Sequence, residues 1–491
     1  MHSAECTDAF NTDDFLSGSE NKANHRDRKK GYVLNTTTTM VAIMLCLPAV
    51  VLAAQKSSFL IDYWIATFAL NRGVRRFIDY QNGFFDPYSL ISLTPLIVGG
   101  LATGVVILEL LGNPKRFGPK SGRVIRWYLG VCAVAFTIGF VRTKFGAVYD
   151  LGNYLGPVGM MGFAVLYSKS RRTMTRWGIS AAIVGTIVAV YGLYQFFTIP
   201  PWDAFWLEQA NMVGYMGYPL PRKMSLFSTM HERGPAAMFL AGTVILILLR
   251  PGLLGPFRYP SVAITLLAML LTYSRTSVIH VVLAMIAFPI VNKGKGLGTI
   301  AAIAFLAIFF ADPLKSSVPE LGTISNRYAT LGNIQEDGSF RGRISLMTIA
   351  LRQSVTNPLG YGLGASGFAA ARVSTGQVGV ADSTGYLEIL NTFGWIGGFF
   401  IFRILWQLWQ SSSYVFRHDK KDRDVALFRA WFISGMVVLF SGNWLAGMSY
   451  FWLLGGYVLS KHDALILQRR EAKRRALKEI ADENELAIGT V

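Results

Sequence analysis

Charge is what this 491-residue chain has least of. Only 15% of its residues are Asp, Glu, Lys or Arg, against 52% hydrophobic, and its mean hydropathy is +0.38. Soluble domains carry about 25% charged residues, so the composition excludes a soluble enzyme and points to a polytopic membrane protein. Acidic residues are the scarcer sign, 29 against 47 basic, which leaves a formal net charge of +18. In a soluble protein that excess suggests nucleic acid; in a membrane protein cationic cytosolic loops and tails account for it. Cysteine is nearly absent. Cys6 lies near the start, and Cys46 and Cys132 lie inside apolar runs. No pair and no metal-ligand spacing results, which excludes a disulfide framework and structural zinc. A cleavable signal is also lacking, because the first apolar run begins near Thr38 after a polar arm and reads as a retained anchor.

What is present is a series of apolar runs. Residues 1–36 form a polar cytosolic arm ending in Arg26, Arg28, Lys29 and Lys30. Spans follow at 37–54, 88–111, 125–141, 155–168, 178–197, 234–249, 259–274, 277–292, 298–311, 383–409, 428–442 and 446–460. Several fall short of the usual ~20 residues, but the pattern gives about twelve transmembrane helices. Phe59–Leu70 is apolar but short, and Arg72, Arg75 and Arg76 follow it. The stretch 56–87 therefore reads as an interfacial helix on the outer face. The transmembrane region is 37–460, and a basic helical tail at 461–491 lies on the inner surface.

Alternation of these spans puts Lys115, Arg116, Lys120, Arg123 and Arg126 inside. Lys169, Arg171, Arg172 and Arg176 fall on the same side, as do Arg250, Arg258, Lys293, Lys295, Arg417, Lys420, Lys421 and Arg423. Both termini come out cytosolic. The basic residues left outside are mostly arginine: Arg72, Arg75, Arg76, Arg142, Arg222, Arg233, Arg275, Arg327, Arg341, Arg343, Arg352 and Arg372. A guanidinium fork grips phosphate bidentately, so the outer face suggests an anionic phosphate ligand. Each arginine taken singly has the alternative of snorkelling to lipid head groups.

Three outer stretches carry polar chemistry. The loop 198–234 holds Asp203, Arg222, Phe227, Ser228, Thr229, His231 and Glu232. Asp203 and Glu232 either act as acid or base or pair with neighbouring arginines. Arg275 sits in a tight turn between two spans, placed for a lipid-linked phosphate or for capping helix ends. The third stretch is the polar excursion 312–382, about seventy residues and long for a connector. In it Arg341–Gln353 reads as a helix with Ile344, Met347 and Leu351 on one face, stopped by Asn357 and Pro358. Gly360, Gly362 and Gly364 then make a turn whose backbone can approach a ligand closely. This run follows no strand, which weighs against a dinucleotide site. Asp382 marks the return to the membrane, where a carboxylate either deprotonates a hydroxyl or caps the helix from Ser383.

The order of these motifs resembles the O-antigen ligase and Wzy-type polymerase superfamily. The matching residues are Arg222 with Phe227, Ser228 and Thr229; Ser274 and Arg275; Ser339, Gly342 and Arg343; Asn357 through Gly364; then Asp382, Gly385, Tyr386, Leu387, Leu390, Gly394 and Gly397. The resemblance implies a GT-C-like membrane glycosyltransferase, metal-independent and inverting, with no cofactor. Its donor is a glycan on undecaprenyl diphosphate, presented at the periplasmic face of a bacterial inner membrane. By resemblance Arg275 and Arg343 hold the diphosphate, with Arg222, Arg341 and Arg327 as further contacts, Tyr386 beside the substrate, and Asp382 as base with Glu232 in reserve. Ligases of this family carry histidine where this chain has Asp382, which favours the exopolysaccharide polymerase branch, with a chain-length-regulating co-polymerase as a partner. A ligase acting on lipid A core or protein is the alternative with the same chemistry. A lipid-linked sugar transporter is the alternative of another class, although no internal repeat is found.

Overall fold

The computed structural model describes residues 36–86, 89–168, 170–292, 338–365, 384–445 and 450–488. Among these the chain is helical, with one isolated bridge between Gly217 and Met224. Five helices are long and apolar enough to cross a membrane: Thr36–Ala54, Leu90–Gly112, Pro119–Thr143, Arg171–Thr198 and Gly385–His418. An all-helical, polytopic membrane architecture is thus present. The expected span 298–311 and most of the polar excursion lie outside the described residues.

In chain order the helices are α1 (Thr36–Ala54), α2 (Phe59–Gln81), α3 (Thr94–Gly112), α4 (Pro119–Thr143), α5 (Phe145–Tyr167) and α6 (Arg171–Thr198). Next come the short α7 (Pro201–Gln209) and α8 (Val213–Met216), then α9 (Arg233–Leu249), α10 (Arg258–Leu271) and α11 (Arg275–Asn292). The last four are α12 (Gly338–Thr356), α13 (Gly385–His418), α14 (Arg423–Val438) and α15 (Tyr450–Ile488). Local chemistry sets several starts. Pro119 and Pro201 occupy first-turn positions that need no donor. Thr384 and Asp422 cap α13 and α14 by accepting from Leu387 N at 3.2 Å and Asp424 N at 2.9 Å. Beyond Leu467 the described face of α15 is exposed through Ile480, so the basic tail continues that helix out of the bundle.

The bundle has two chemically different ends. One gathers paired charges: Lys56 and Arg116 on Glu109, Arg176 on Asp62, Arg250 on Asp424 and Lys461 on Asp419. Asp463 of α15 joins them by accepting from Ser121 N at 2.9 Å. The sequence grouped Arg116, Arg176 and Arg250 on one side, and the fold collects them here. We call it the basic end, and the opposite one, formed by segments 82–86, 89–93 and 199–232, the loop end.

Helix α2 departs from the sequence expectation. It is not an interfacial helix. Asp62 near its start takes a bond from Arg176 Nε at 3.0 Å, in the second turn of α6. Arg76 near its end reaches Asp203, just beyond the end of α6. The two helices therefore run side by side over about 21 Å, the rise of fourteen residues. Hydropathy hides this because α2 carries Asp62, Arg72, Arg75, Arg76 and Asp79. Burial of such groups is tolerated where partners neutralise them inside the protein. Arg75 does so with Asp79 at 3.2 Å and Ser92 at 2.8 Å. The turn 55–58 reverses the chain between α1 and α2, so Thr36 starts α1 at the loop end. The two ends of the described chain thus lie at opposite ends of the bundle, while the true termini, expected on a shared side, lie outside the described residues.

The glycine run after α12 is the second departure. It does not hang free toward a ligand but wedges between α4, α5 and α13. Leu363 N donates to Ala135 O at 3.0 Å, which is about 12 Å from the end of α4. Tyr361 N and Gly362 N donate to Asn391 O and Thr392 O at 2.7 and 3.0 Å, and Gly364 N to Asp150 Oδ2 at 3.0 Å. Gly360, Gly362 and Gly364 have φ of 78, 83 and 81°. A Cβ on Gly362 would lie 2.1 Å from Gly139 N, and one on Gly360 2.4 Å from Gly394 N. Glycine is required both for the turn and for the contact. Across from it, Gly394 itself has φ 69° and breaks α13 into two helical pieces.

Replacing Gly362 with alanine is expected to lower stability by more than about 4 kcal/mol, since clash adds to left-handed strain. Gly100, with nothing within 4 Å of a Cβ, serves as the control. Gly100→Ala is expected to be neutral or stabilising by up to ~1 kcal/mol. Thermal unfolding in detergent, followed by size-exclusion fluorescence, reads both.

Candidate active site at the loop end

Arg275 opens α11 two residues after Tyr273, whose φ of 54° turns the chain back from α10. The next residue, Thr276, shares a 2.5 Å hydrogen bond with Ser441. Ser441 belongs to a non-helical stretch, 439–445, between α14 and α15. That stretch also receives the start of α13, with Gly385 N donating to Leu439 O at 2.8 Å. Three chain segments thus meet at one place: the α11 start with Arg275, the α13 start, and residues 439–443. Asp382 precedes Gly385 by three residues and lies outside the described residues. A cation at the first position of a helix adds to the positive end of the helix dipole. The pairing is unfavourable alone and attractive to an anion.

Below this junction sits a closed polar triangle that the sequence reading missed. Glu388, one turn into α13, accepts from Tyr154 Oη at 3.2 Å and from Asn443 Nδ2 at 3.0 Å. Asn443 also donates to Tyr154 Oη at 2.8 Å. The triangle ties α5, α13 and the 439–445 stretch together. Tyr154, Glu388 and Asn443 are polar groups inside or beside apolar runs, and that alone was the available signal. Tyr386, on the neighbouring face, donates its hydroxyl to Met436 O at 2.7 Å and packs on Phe402 and Phe440. It holds α13 against α14.

The other candidates are placed differently. Arg222 is exposed, in a left-handed turn with φ 64°; its N–H donates to Phe196 O at 2.9 Å and its guanidinium lies over Phe197. Glu232 stands at the cap position of α9, with its carboxylate 3.8 Å from His231. Leu226 N donates to Leu271 O at 3.0 Å, which brings this loop beside the α10 end, four residues from Arg275. The backbone of Arg341 and Arg343 lies in α12, as the sequence expects, while their side chains and all of Arg327 lie outside the described residues. The apolar face expected on α12 is not its packing face. Ile344, Met347 and Leu351 are exposed, and α12 meets α13 through buried Ala350 and Ser354, with Trp395 Nε1 donating to Ser354 O at 3.0 Å.

Arg75 and Arg76, expected from the sequence on the outer face, prove to be structural. Arg76 is 1% exposed. It pairs with Asp203 at 2.7 Å, donates to Met230 O at 2.6 Å and to Ser228 O, and stacks over Phe227. Gln195 completes the clamp, donating to Asp203 Oδ2 at 2.7 Å and accepting from Ser228 N at 2.7 Å. Thr229 donates to Ala69 O at 2.6 Å. The Phe227, Ser228 and Thr229 motif is therefore pinned by buried groups. Of the two roles open to Asp203, pairing with arginine is the one realised.

Residues 260–402 match the family model described as O-antigen ligase. No curated protein matches the chain. The matched segment contains Arg275, Arg327, Arg341, Arg343, Asp382 and Tyr386, and excludes Arg222 and Glu232.

Removing one partner of a buried pair leaves the other charge uncompensated. Arg76→Ala is therefore expected to destabilise by about 3–5 kcal/mol. Arg222→Ala, at an exposed side chain, is expected to stay within about 0.5 kcal/mol. Melting temperatures in one detergent compare the two. In motif order and by family match alike, the chain resembles the O-antigen ligase and Wzy-type superfamily over residues 260–402.

Proposed function

We propose that the protein is a membrane glycosyltransferase that polymerises lipid-diphosphate-linked oligosaccharide units into an exopolysaccharide. The loop end faces away from the cytosol in this reading, because the basic end carries the cationic loops. An acceptor hydroxyl of one unit attacks the anomeric carbon of another. The new glycosidic bond forms, the sugar–phosphate bond breaks, the hydroxyl proton passes to Asp382, and undecaprenyl diphosphate leaves. As the resemblance implies, the step is inverting and uses the protein's own groups. Arg275 and Arg343 receive the charge that builds on the departing diphosphate. Arg222, Arg327 and Arg341 are peripheral contacts, Tyr386 keeps the α13 start in position, and Glu232 is the reserve base.

The observation that carries this reading is the position of Arg275. It stands at a helix start, beside the α13 start that follows Asp382, and inside the family-matched segment. A ligase moving finished glycan to lipid A core or protein is the second reading, favoured by the description of the matching family. A growing ladder of repeats marks polymerisation; a single conjugate marks ligation.

Losing one preorganised donor to a developing oxyanion costs about 3 kcal/mol of barrier, or roughly a hundredfold in rate. Arg275→Ala is expected to cut the elongation of purified lipid-linked units by that factor at equal protein level. Normal polymer yield from this variant would remove Arg275 from the chemistry.

A further inference from the structure

Helix α12 sorts its exposed side chains by chemistry. Ile344, Met347, Leu351 and Val355 follow one another at spacings of three and four, and all are exposed. Ser345, Thr348, Arg352 and Thr356 run beside them at the same spacing, one residue on, and are exposed as well. The hydroxyls of Thr348 and Thr356 donate back to Ile344 O and Arg352 O, each at 3.1 Å, so the polar stripe satisfies part of its hydrogen bonding within the helix. Leu346 and Ile349, also exposed, flank that stripe on its far side. It is thus a narrow strip on a mostly apolar surface. Only Ala350 and Ser354, on a third face, are buried against α13.

Depth fixes what this surface meets. Trp395 N, which donates to Pro358 O at 2.8 Å, lies about 15 Å along α13 from Gly385. Leu363 N reaches Ala135 O, about 12 Å from the end of α4. Helix α4 has 25 residues, about 37 Å, against a hydrocarbon core of ~30 Å. With all of that excess of about 7 Å placed at the loop end, Ala135 still lies ~5 Å inside the core. Val355 and Leu359, 62% and 61% exposed, stand beside this anchored stretch. Ile396 and Phe399 of α13, exposed too, continue their surface toward the basic end. Outside the bundle at that depth there is hydrocarbon and no water. We infer that α12 is seated in the leaflet at the loop end, with the Ile344, Met347, Leu351 and Val355 stripe and Leu359 against the acyl chains of the bilayer. The long stem of Arg352 carries its charge toward the head groups. Lipid contact here does not depend on glycan transfer. Given that transfer, the helix that begins with Arg341 and Arg343 is membrane-bound, and a lipid-linked diphosphate reaches it without leaving its leaflet.

The test uses the full-length protein in lipid nanodiscs. A nitroxide is coupled to a genetically encoded ketone side chain, one position at a time, so the native cysteines stay in place. Its collisions are measured with oxygen, which concentrates in hydrocarbon, and with a nickel chelate, which stays in water. Phe399 serves as the lipid reference and Lys473, exposed on the tail of α15, as the water reference. Labels at Met347, Leu351 and Val355 are expected to be oxygen-dominated like Phe399. Those at Thr348 and Arg352 are expected to shift toward nickel, which gives a helical period to the ratio. Should one of the apolar positions fail to fold when labelled, Ile344 on the same stripe replaces it. Nickel-dominated collisions along the apolar stripe overturn the proposal, because α12 then stands in water. Low collision rates with both reagents overturn it too, because the stripe is then covered by protein. The readout is independent of polymer synthesis, so a polymerase with α12 in water loses only the lipid seat. An inactive protein with α12 in lipid loses only the polymerase reading.

Discussion

Backbone that leaves the helix inside an apolar bundle must find a partner for each buried peptide group, because no water is there to supply one. The segment 357–365 meets that constraint by borrowing from three helices at once. Ala135 O of α4, Asn391 O and Thr392 O of α13 and the Asp150 carboxylate of α5 take its donors. In return Trp395 N, at the start of the second piece of α13, donates to Pro358 O at 2.8 Å. Asn391 O and Thr392 O, just before the break at Gly394, are answered by the inserted turn. The position of α13, and with it the Thr384 cap, the Glu388 triangle and the junction beside Arg275, follows from this exchange.

The arginines of the loop end divide by the same physics. Arg75 and Arg76 are buried and must be neutralised, so they take carboxylates and carbonyls and become part of the scaffold. Arg275 stands at a helix start, where the local field is already positive and favours an anion. Burial, more than place in the sequence, decides which arginines become scaffold.

Helix positions were legible because long apolar runs in this chain have few other uses. The runs at 88–111, 178–197 and 277–292 overlap α3, α6 and α11, with ends that agree within one residue and starts that differ by up to seven. Helix α2 was misread because hydropathy sums charges without knowing that Asp203 lies opposite Arg76 and Arg176 opposite Asp62. The glycine run was recognised as a place of close approach, but what approaches it is the backbone at Gly139 and Gly394 rather than a ligand. The Glu388 triangle joins residues 154, 388 and 443, and no local pattern links positions that far apart.

By itself the sequence determined that the chain is an all-helical membrane protein, because composition and span length answer to the bilayer alone. It also set the order of motifs that the family match repeats. Only the tertiary structure decided which polar groups are consumed and which remain. Burial and pairing are properties of neighbours, and the neighbours of Arg76 and Glu388 come from distant parts of the chain.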